Sequence, residues 1–203
     1  MVSRATALGA SASRREAFRR GGAAAAVIGG TAWFVKAAVI IATGDEPPVA
    51  FTIGFALFPF ALLGLWSLVR NVEGRSPRIG GAIAVVAAVS VVIALLVRAV
   101  GGTAVQPAED EITVLTPFIV IAGFGTFAAL VALGVTVRRA GALTAPYTSL
   151  PWTMGLAAIP LLIAAGALET VNERLFELPI ALFGLAWIAL GAALWSATPR
   201  ASR

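Results

Sequence analysis

Six apolar runs, separated by short charged connectors, constrain what this sequence can fold into. Each run holds about 19 to 24 residues, which as an α-helix rising about 1.5 Å per residue crosses a hydrocarbon core of about 30 Å. The runs lack the polar–apolar alternation that is typical of strands in membrane barrels. The sequence therefore predicts an all-α membrane protein, a six-transmembrane-helix bundle with spans at residues 23–42, 49–69, 79–97, 114–137, 150–168 and 178–197.

The composition supports this class and removes several kinds of chemistry. Hydrophobic residues make up 59% of the chain and charged residues 12%, whereas soluble domains average about 25% charged residues. Cysteine and histidine are absent, which excludes disulfides, thiolate nucleophiles, histidine-ligated metals and serine–histidine dyads. No phosphate-binding, esterase or metalloprotease motif occurs in the sequence. We therefore predict no catalytic, cofactor-binding or metal site, and a protein that is not an enzyme.

The distribution of charge predicts the orientation in the membrane. With the N-terminus inside, the inner segments carry twelve arginines against Glu16 and Glu73, a net charge of +10. The outer half carries Lys36, Arg98 and Arg174 against eight acids, a net charge of −5, and these totals account for the whole net charge of +5. Positively charged connectors stay on the cytoplasmic side. Both termini are therefore predicted to be cytoplasmic, in the plasma membrane, and the basic residues need no nucleic-acid partner.

The remaining segments are short. Residues 1–21 are polar and contain five arginines, so they are predicted to be a disordered cytoplasmic tail. Residues 22–198 form the single transmembrane domain, and residues 199–203 form a second basic tail. The Ser13–Phe18 segment also resembles a twin-arginine export signal, but its aromatic residue comes one place late and no small-residue cleavage site follows. We interpret the apolar run after it as an uncleaved first helix.

Lys36 is the one charged residue inside the first span. It lies about 10 Å below the outer edge, where an ammonium costs on the order of 3 kcal/mol. Small residues on its helical stripe indicate that it faces protein rather than lipid. The stripe consists of Gly22, Ala25, Gly29, Trp33, Val39 and Thr43. Candidate partners are Glu169, Asp45 and Glu46, and the two interpretations are a structural ion pair, which we favour, or an anion or proton site in an outward-facing cavity.

Two prolines lie near the centres of spans, Pro59 in the second and Pro160 in the fifth. If spans 1–3 and 4–6 are inverted halves, each half has a proline in its middle helix, as in transporters with interrupted helices. A rival pairing matches residues 56–67 with residues 181–196. Pro59 and Pro160 are therefore candidate hinges, although ordinary packing kinks are the interpretation we favour.

Acidic residues cluster in two outer connectors. Glu109, Asp110 and Glu111 are consecutive, and Glu169, Glu173 and Glu177 recur every four residues. The second set predicts a short interfacial helix over residues 170–178. Carboxylates in such numbers suit a divalent cation, but the sequence has no EF-hand spacing or glycine placement, and solvated connectors are the interpretation we favour.

Small residues recur in three spans and predict close helix packing. They are Gly22, Ala26 and Gly30, then Gly80 and Ala84, then Gly123, Gly125 and Gly134. The same faces are able to seat a protein partner or a second copy of the chain. The function favoured by the sequence is accordingly a non-enzymatic accessory subunit or partner-binding scaffold in the lipid bilayer. The alternative is a small-solute or ion transporter or channel, with Lys36 in an outward-facing polar site and Pro59 and Pro160 as midplane hinges.

Overall fold

The computed structural model describes residues 2–47, 49–101 and 112–197. Within these ranges the chain forms helices and no strands, and six of the helices are long and apolar enough to cross a membrane. They are α1 (Val2–Thr43), α2 (Ala50–Val69), α3 (Arg75–Gly101), α4 (Thr116–Ala140), α5 (Leu150–Glu169) and α6 (Glu177–Ser196). The predicted all-α class with six spanning helices is confirmed for the described part of the chain.

The largest difference from the predicted boundaries is at the start of α1. This helix begins at Val2 instead of residue 23, so residues 2–21, predicted as a disordered tail, continue the first helix beyond its membrane-spanning part. The segment contains no proline and many alanines and arginines, which are strong helix formers. Glu16 also pairs with Arg19 at 2.7 Å and with Arg20 at 2.6 Å, at the spacings that stabilise a helix.

Other predicted boundaries agree closely with the structure, except that α3 extends one turn further at each end. Pro179 lies in the first turn of α6, where its missing N–H needs no partner within the helix. The predicted interfacial helix is replaced by a 3-10 turn at Glu173–Phe176, and a second such turn precedes α5 at Tyr147–Ser149. The predicted tail at 199–203 and the acidic cluster at 109–111 lie outside the described residues.

The helices form a ring in which neighbours in sequence are neighbours in space. Helix α1 packs between α2 and α6, and the ring continues through α3, α4 and α5 back to α6, with α2 also contacting α4. No close backbone contact joins α1 to α4 or α5 among the described residues. We call the end where α1 finishes and α6 begins the acidic end, because it carries Asp45, Glu46, Glu169, Glu173 and Glu177, and the opposite end the basic end.

Glycines let α1 approach both of its neighbours closely. A Cβ on Gly22 would collide with the backbone of Gly64 in α2, and a Cβ on Gly30 would lie 2.6 Å from the carbonyl oxygen of Gly184 in α6. The predicted close packing is confirmed at these positions. It is wrong for Gly123, where an added Cβ would meet nothing within 4 Å.

Aromatic residues fill the centre of the bundle beside α1. Trp187 of α6 is fully buried and stacks on Phe58 of α2, with ring centroids 4.3 Å apart and planes within 9°. Phe183 contacts Trp187 edge-on at 6.2 Å and reaches Phe127 of α4 at 5.7 Å. These aromatic contacts join α2 and α6 to α4 across the middle of the bundle.

Candidate functional site

Lys36 is buried, with 6% of its surface exposed, and it forms an ion pair with a residue that the sequence did not suggest. Its Nζ donates a hydrogen bond of 2.6 Å to Oε1 of Glu177, which is itself 5% exposed. The pair joins α1 to the first residue of α6 at the acidic end. Two charges withdrawn from solvent require each other, because the desolvation cost of either alone is several kcal/mol.

The predicted partners of Lys36 are placed differently from one another. Glu46 lies 3.6 Å from Nζ, but its side chain is 59% exposed, so this contact is screened and weak. Asp45 and Glu169 are exposed and form no ion pair with Lys36 in the described structure. The geometry therefore replaces Glu169 and Asp45 with Glu177 as the principal partner.

The role of Glu177 was missed because its four-residue spacing from Glu169 and Glu173 indicated one solvated helix. In the structure α5 ends at Glu169, and the chain then turns before the 3-10 turn begins. The Asn172 side chain caps that turn by accepting a 2.9 Å hydrogen bond from the backbone N–H of Arg174. The available signal was the position of Glu177 immediately before the last apolar run, because a carboxylate is stabilised at a helix N-terminus.

A second buried cation of α1 contacts the other end of α6. Arg19 is 5% exposed, and its Nη1 donates hydrogen bonds to the carbonyl oxygens of Leu194 and, at 2.8 Å, Trp195. These carbonyls lie in the last turn of α6, where they have no partner within the helix. Arg20 lies beside them, with its guanidinium 6.0 Å from the Trp195 ring centroid.

The contacts of Lys36 and Arg19 with α6 are separated by the same number of residues on both helices. Seventeen residues separate Arg19 from Lys36 along α1, and seventeen separate Glu177 from Leu194 along α6. At about 1.5 Å per residue this is about 26 Å on each helix. Helices α1 and α6 are thus an antiparallel pair joined at both ends by buried charges of α1. The acid at the N-terminus of α6 and the base at its C-terminus both complement its dipole.

A cavity of about 480 Å³ lies beside Lys36, where the described residues of α1 make no close backbone contact with α4 or α5. Five aromatic side chains line it: Trp33, Phe51, Phe127, Phe176 and Phe183. The α5 wall consists of aliphatic residues, namely Ala158, Leu161, Leu162 and Ala165. Lys36 and Glu46 are its charged lining residues, both at the acidic end. The cavity is therefore an apolar chamber with one polar end.

The cavity opens to the outside of the bundle, because Phe51 and Leu162 in its wall are 41% and 47% exposed. A second cavity of about 290 Å³ lies on the far side of Phe51, between α2, α3 and α4. Its polar residues are Thr52 and Arg98, and the guanidinium Nη1 donates to the Thr52 hydroxyl at 3.3 Å. The cavity beside Lys36 has the larger volume of the two and is next to the buried ion pair, so it is the candidate site.

Two buried polar atoms near this region have no hydrogen-bond partner in the part of the chain that the structure describes. They are Oε2 of Glu177 and Nε1 of Trp187. A buried acceptor without a donor is costly, on the order of 1 to 3 kcal/mol. The free oxygen of Glu177 leaves negative potential beside the polar end of the cavity.

The candidate hinges lie within unbroken helices. Pro59 is buried inside α2, directly after Phe58 of the aromatic core. Pro160 lies inside α5 on its exposed face, directly before Leu161 of the cavity wall. Both interrupt the hydrogen-bond ladder of their helix by lacking an N–H. Their role as hinges stays a prediction.

The acidic end holds no obvious metal site in the part of the chain that the structure describes, since no group of three or more acids converges there. The cavity beside it has the shape and lining to hold an apolar molecule next to a charged end.

No protein-family model matches the chain, and neither do any curated protein or any solved structure.

The buried pair predicts strong coupling between Lys36 and Glu177. Lys36→Met or Glu177→Gln alone is expected to lower the stability of the detergent-solubilised protein by about 3 to 5 kcal/mol, because each leaves an unpaired buried polar group. The double substitution is expected to lose at least about 1 kcal/mol less than the sum of the single losses. Unfolding of the four proteins in a denaturing detergent measures this coupling.

Glu46→Gln is the control, because it removes the exposed member of the cluster and is expected to change the unfolding free energy by no more than about 1 kcal/mol. Additive effects of the two buried substitutions would show that Lys36 and Glu177 are not partners.

Proposed function

We propose that this multi-pass membrane protein binds a small hydrophobic molecule in the cavity at its acidic end. The observation that carries the proposal is the apolar chamber of about 480 Å³ formed by α1, α2, α4, α5 and α6. Pockets for small molecules have volumes of about 300 to 1,000 Å³, with apolar walls and a few placed polar groups. Lys36 and Glu46 are the placed polar groups here.

The cavity favours the small-solute hypothesis over the accessory-subunit hypothesis. The outer helix faces are apolar, as contact with lipid requires, and this argues for no particular protein partner. A cavity that reaches Lys36 is the feature expected of a protein that takes up a solute from one side. Its apolar walls make that solute a hydrophobic molecule rather than a small hydrophilic ion. In transport, Pro59 and Pro160 would serve as the hinges of α2 and α5.

We assign binding rather than catalysis to this site. The Nζ of Lys36 donates a 2.6 Å hydrogen bond to Glu177, so it is engaged in an ion pair and is not placed as a free nucleophile. Glu46 is 59% exposed and open to solvent, unlike the sequestered acids that act in catalysis. A binding protein or transporter needs only the shape and the polar end.

Filling the cavity tests the proposed function. Leu161→Trp adds an indole within the cavity wall and is expected to weaken binding of a neutral hydrophobic probe, triphenylphosphine oxide, at least about tenfold, because the volume for it is lost. Equilibrium dialysis of the purified protein in detergent measures the affinity.

Ile163→Trp is the matched control, since Ile163 is 69% exposed on the same helix and does not line the cavity. Equal binding by the Leu161→Trp variant and the parent protein would count against the cavity as the binding site.

We also propose that the basic end faces the cytoplasm and the acidic end faces outward, in the plasma membrane. The support is the one-sided distribution of charge, with a net charge of +10 at the basic end and −5 in the outer half. In this orientation the cavity is reached from the outer half of the membrane.

The orientation is testable by cysteine labelling because the chain has no cysteine. Val72→Cys lies in the connector at the basic end and Val171→Cys in the connector at the acidic end, and both positions are exposed. A membrane-impermeant maleimide is expected to label Val171→Cys in intact cells and Val72→Cys only after permeabilisation. The reverse pattern would overturn the proposed orientation.

A further inference from the structure

The charges around the cavity determine which kind of hydrophobic molecule it accepts, an inference that rests on the proposed function. Lys36 and Glu46 line the cavity, and the charge of Lys36 is matched by Glu177 at 2.6 Å. Glu46, at 3.6 Å and 59% exposed, is only loosely held by the same ammonium. By formal count the polar end holds one base and two acids, an excess of one acid.

The wider acidic end has the same sign. Its described residues include five acids, Asp45, Glu46, Glu169, Glu173 and Glu177, against three bases, Lys36, Arg98 and Arg174. The Arg174 guanidinium is directed at the end of α1, with Nη2 3.4 Å from the carbonyl oxygen of Thr43. Within this set, Oε2 of Glu177 has no hydrogen-bond partner among the described residues. An excess of one sign of charge around a cleft concentrates ligands of the opposite sign.

The aromatic walls favour the same sign of ligand. Trp33 and Phe51 are stacked with centroids 5.9 Å apart, and Trp33 and Phe183 are tilted at 6.3 Å. Phe127 and Phe176 complete the aromatic lining. The face of an aromatic ring carries negative charge and attracts cations, most strongly for tryptophan. An anion with an apolar body would gain the same apolar contact without this attraction.

We propose that the molecule bound in the cavity is a hydrophobic organic cation, such as a lipophilic ammonium or phosphonium. Its apolar groups pack against the α5 wall and the aromatic side chains, and its positive charge lies toward Glu46. The Lys36–Glu177 pair stays intact in this complex, because the positive charge of the ligand interacts with Glu46, which is not part of that pair.

Two ions of nearly the same size and opposite charge test this inference. Tetraphenylphosphonium is expected to bind the detergent-solubilised protein at least about tenfold more tightly than tetraphenylborate, with neutral triphenylphosphine oxide as the reference probe. The Leu161→Trp variant supplies the background from partition into micelles. Glu46→Gln is expected to lower the ratio of phosphonium to phosphine oxide affinity about two- to fivefold, the effect of one exposed charge. Asp45→Asn, on the same connector but outside the cavity lining, is the matched control and is expected to change that ratio less than Glu46→Gln does, because its charge lies farther from the ligand.

The outcomes separate the two proposals. Binding of tetraphenylborate as tight as that of tetraphenylphosphonium, or a ratio insensitive to Glu46→Gln, would overturn the inference about charge while the cavity remains a binding site. Absence of Leu161→Trp-sensitive binding for all three probes would overturn the proposed function itself.

Discussion

The pairing of α1 with α6 by two buried cations is the constraint on which the rest of the structure depends. Lys36 bonds to the acid at the start of α6, and Arg19 bonds to the carbonyls at its end. Because the same number of residues separates the contacts on both helices, sliding α6 by one residue would break both. Gly30 and Gly184 allow the two backbones to meet between these points. Charge therefore specifies the register, and small residues supply the close contact.

This pairing also explains why a cavity exists. The buried faces of α1 are taken up by α2 and α6, and no backbone contact with α5 is made in the described chain. Aromatic side chains bridge the middle of the resulting gap through Phe127 and Phe183, and the part nearer the acidic end stays open. The cavity and the ion pair are thus adjacent for one reason: α1 is held on one side of the ring, and its costly lysine is placed at the edge of the unfilled space.

The number and class of the helices were predictable from the sequence, because in a membrane every span must be a long apolar helix. The special position of Lys36 was predictable for the same reason, since one charge in an apolar run has to be explained. The partner of Lys36 was not predictable from the sequence. Glu177 shares its spacing with two exposed acids, and only the end of α5 at Glu169 and the 3-10 turn after it show which acid points inward. The cavity depends on which helices fail to touch, and apolar spans of similar composition do not encode that locally.

The most direct test of the account is an experimental structure of the protein in lipid nanodiscs, at a resolution that defines side chains. The pairing of α1 with α6 predicts that Nζ of Lys36 lies within hydrogen-bonding distance of the Glu177 carboxylate, that Arg19 contacts the carbonyls of Leu194 and Trp195, and that the space between α1 and α5 is open. A structure in which Lys36 faces lipid or pairs with Glu169, or in which α1 and α5 are in contact, would contradict it.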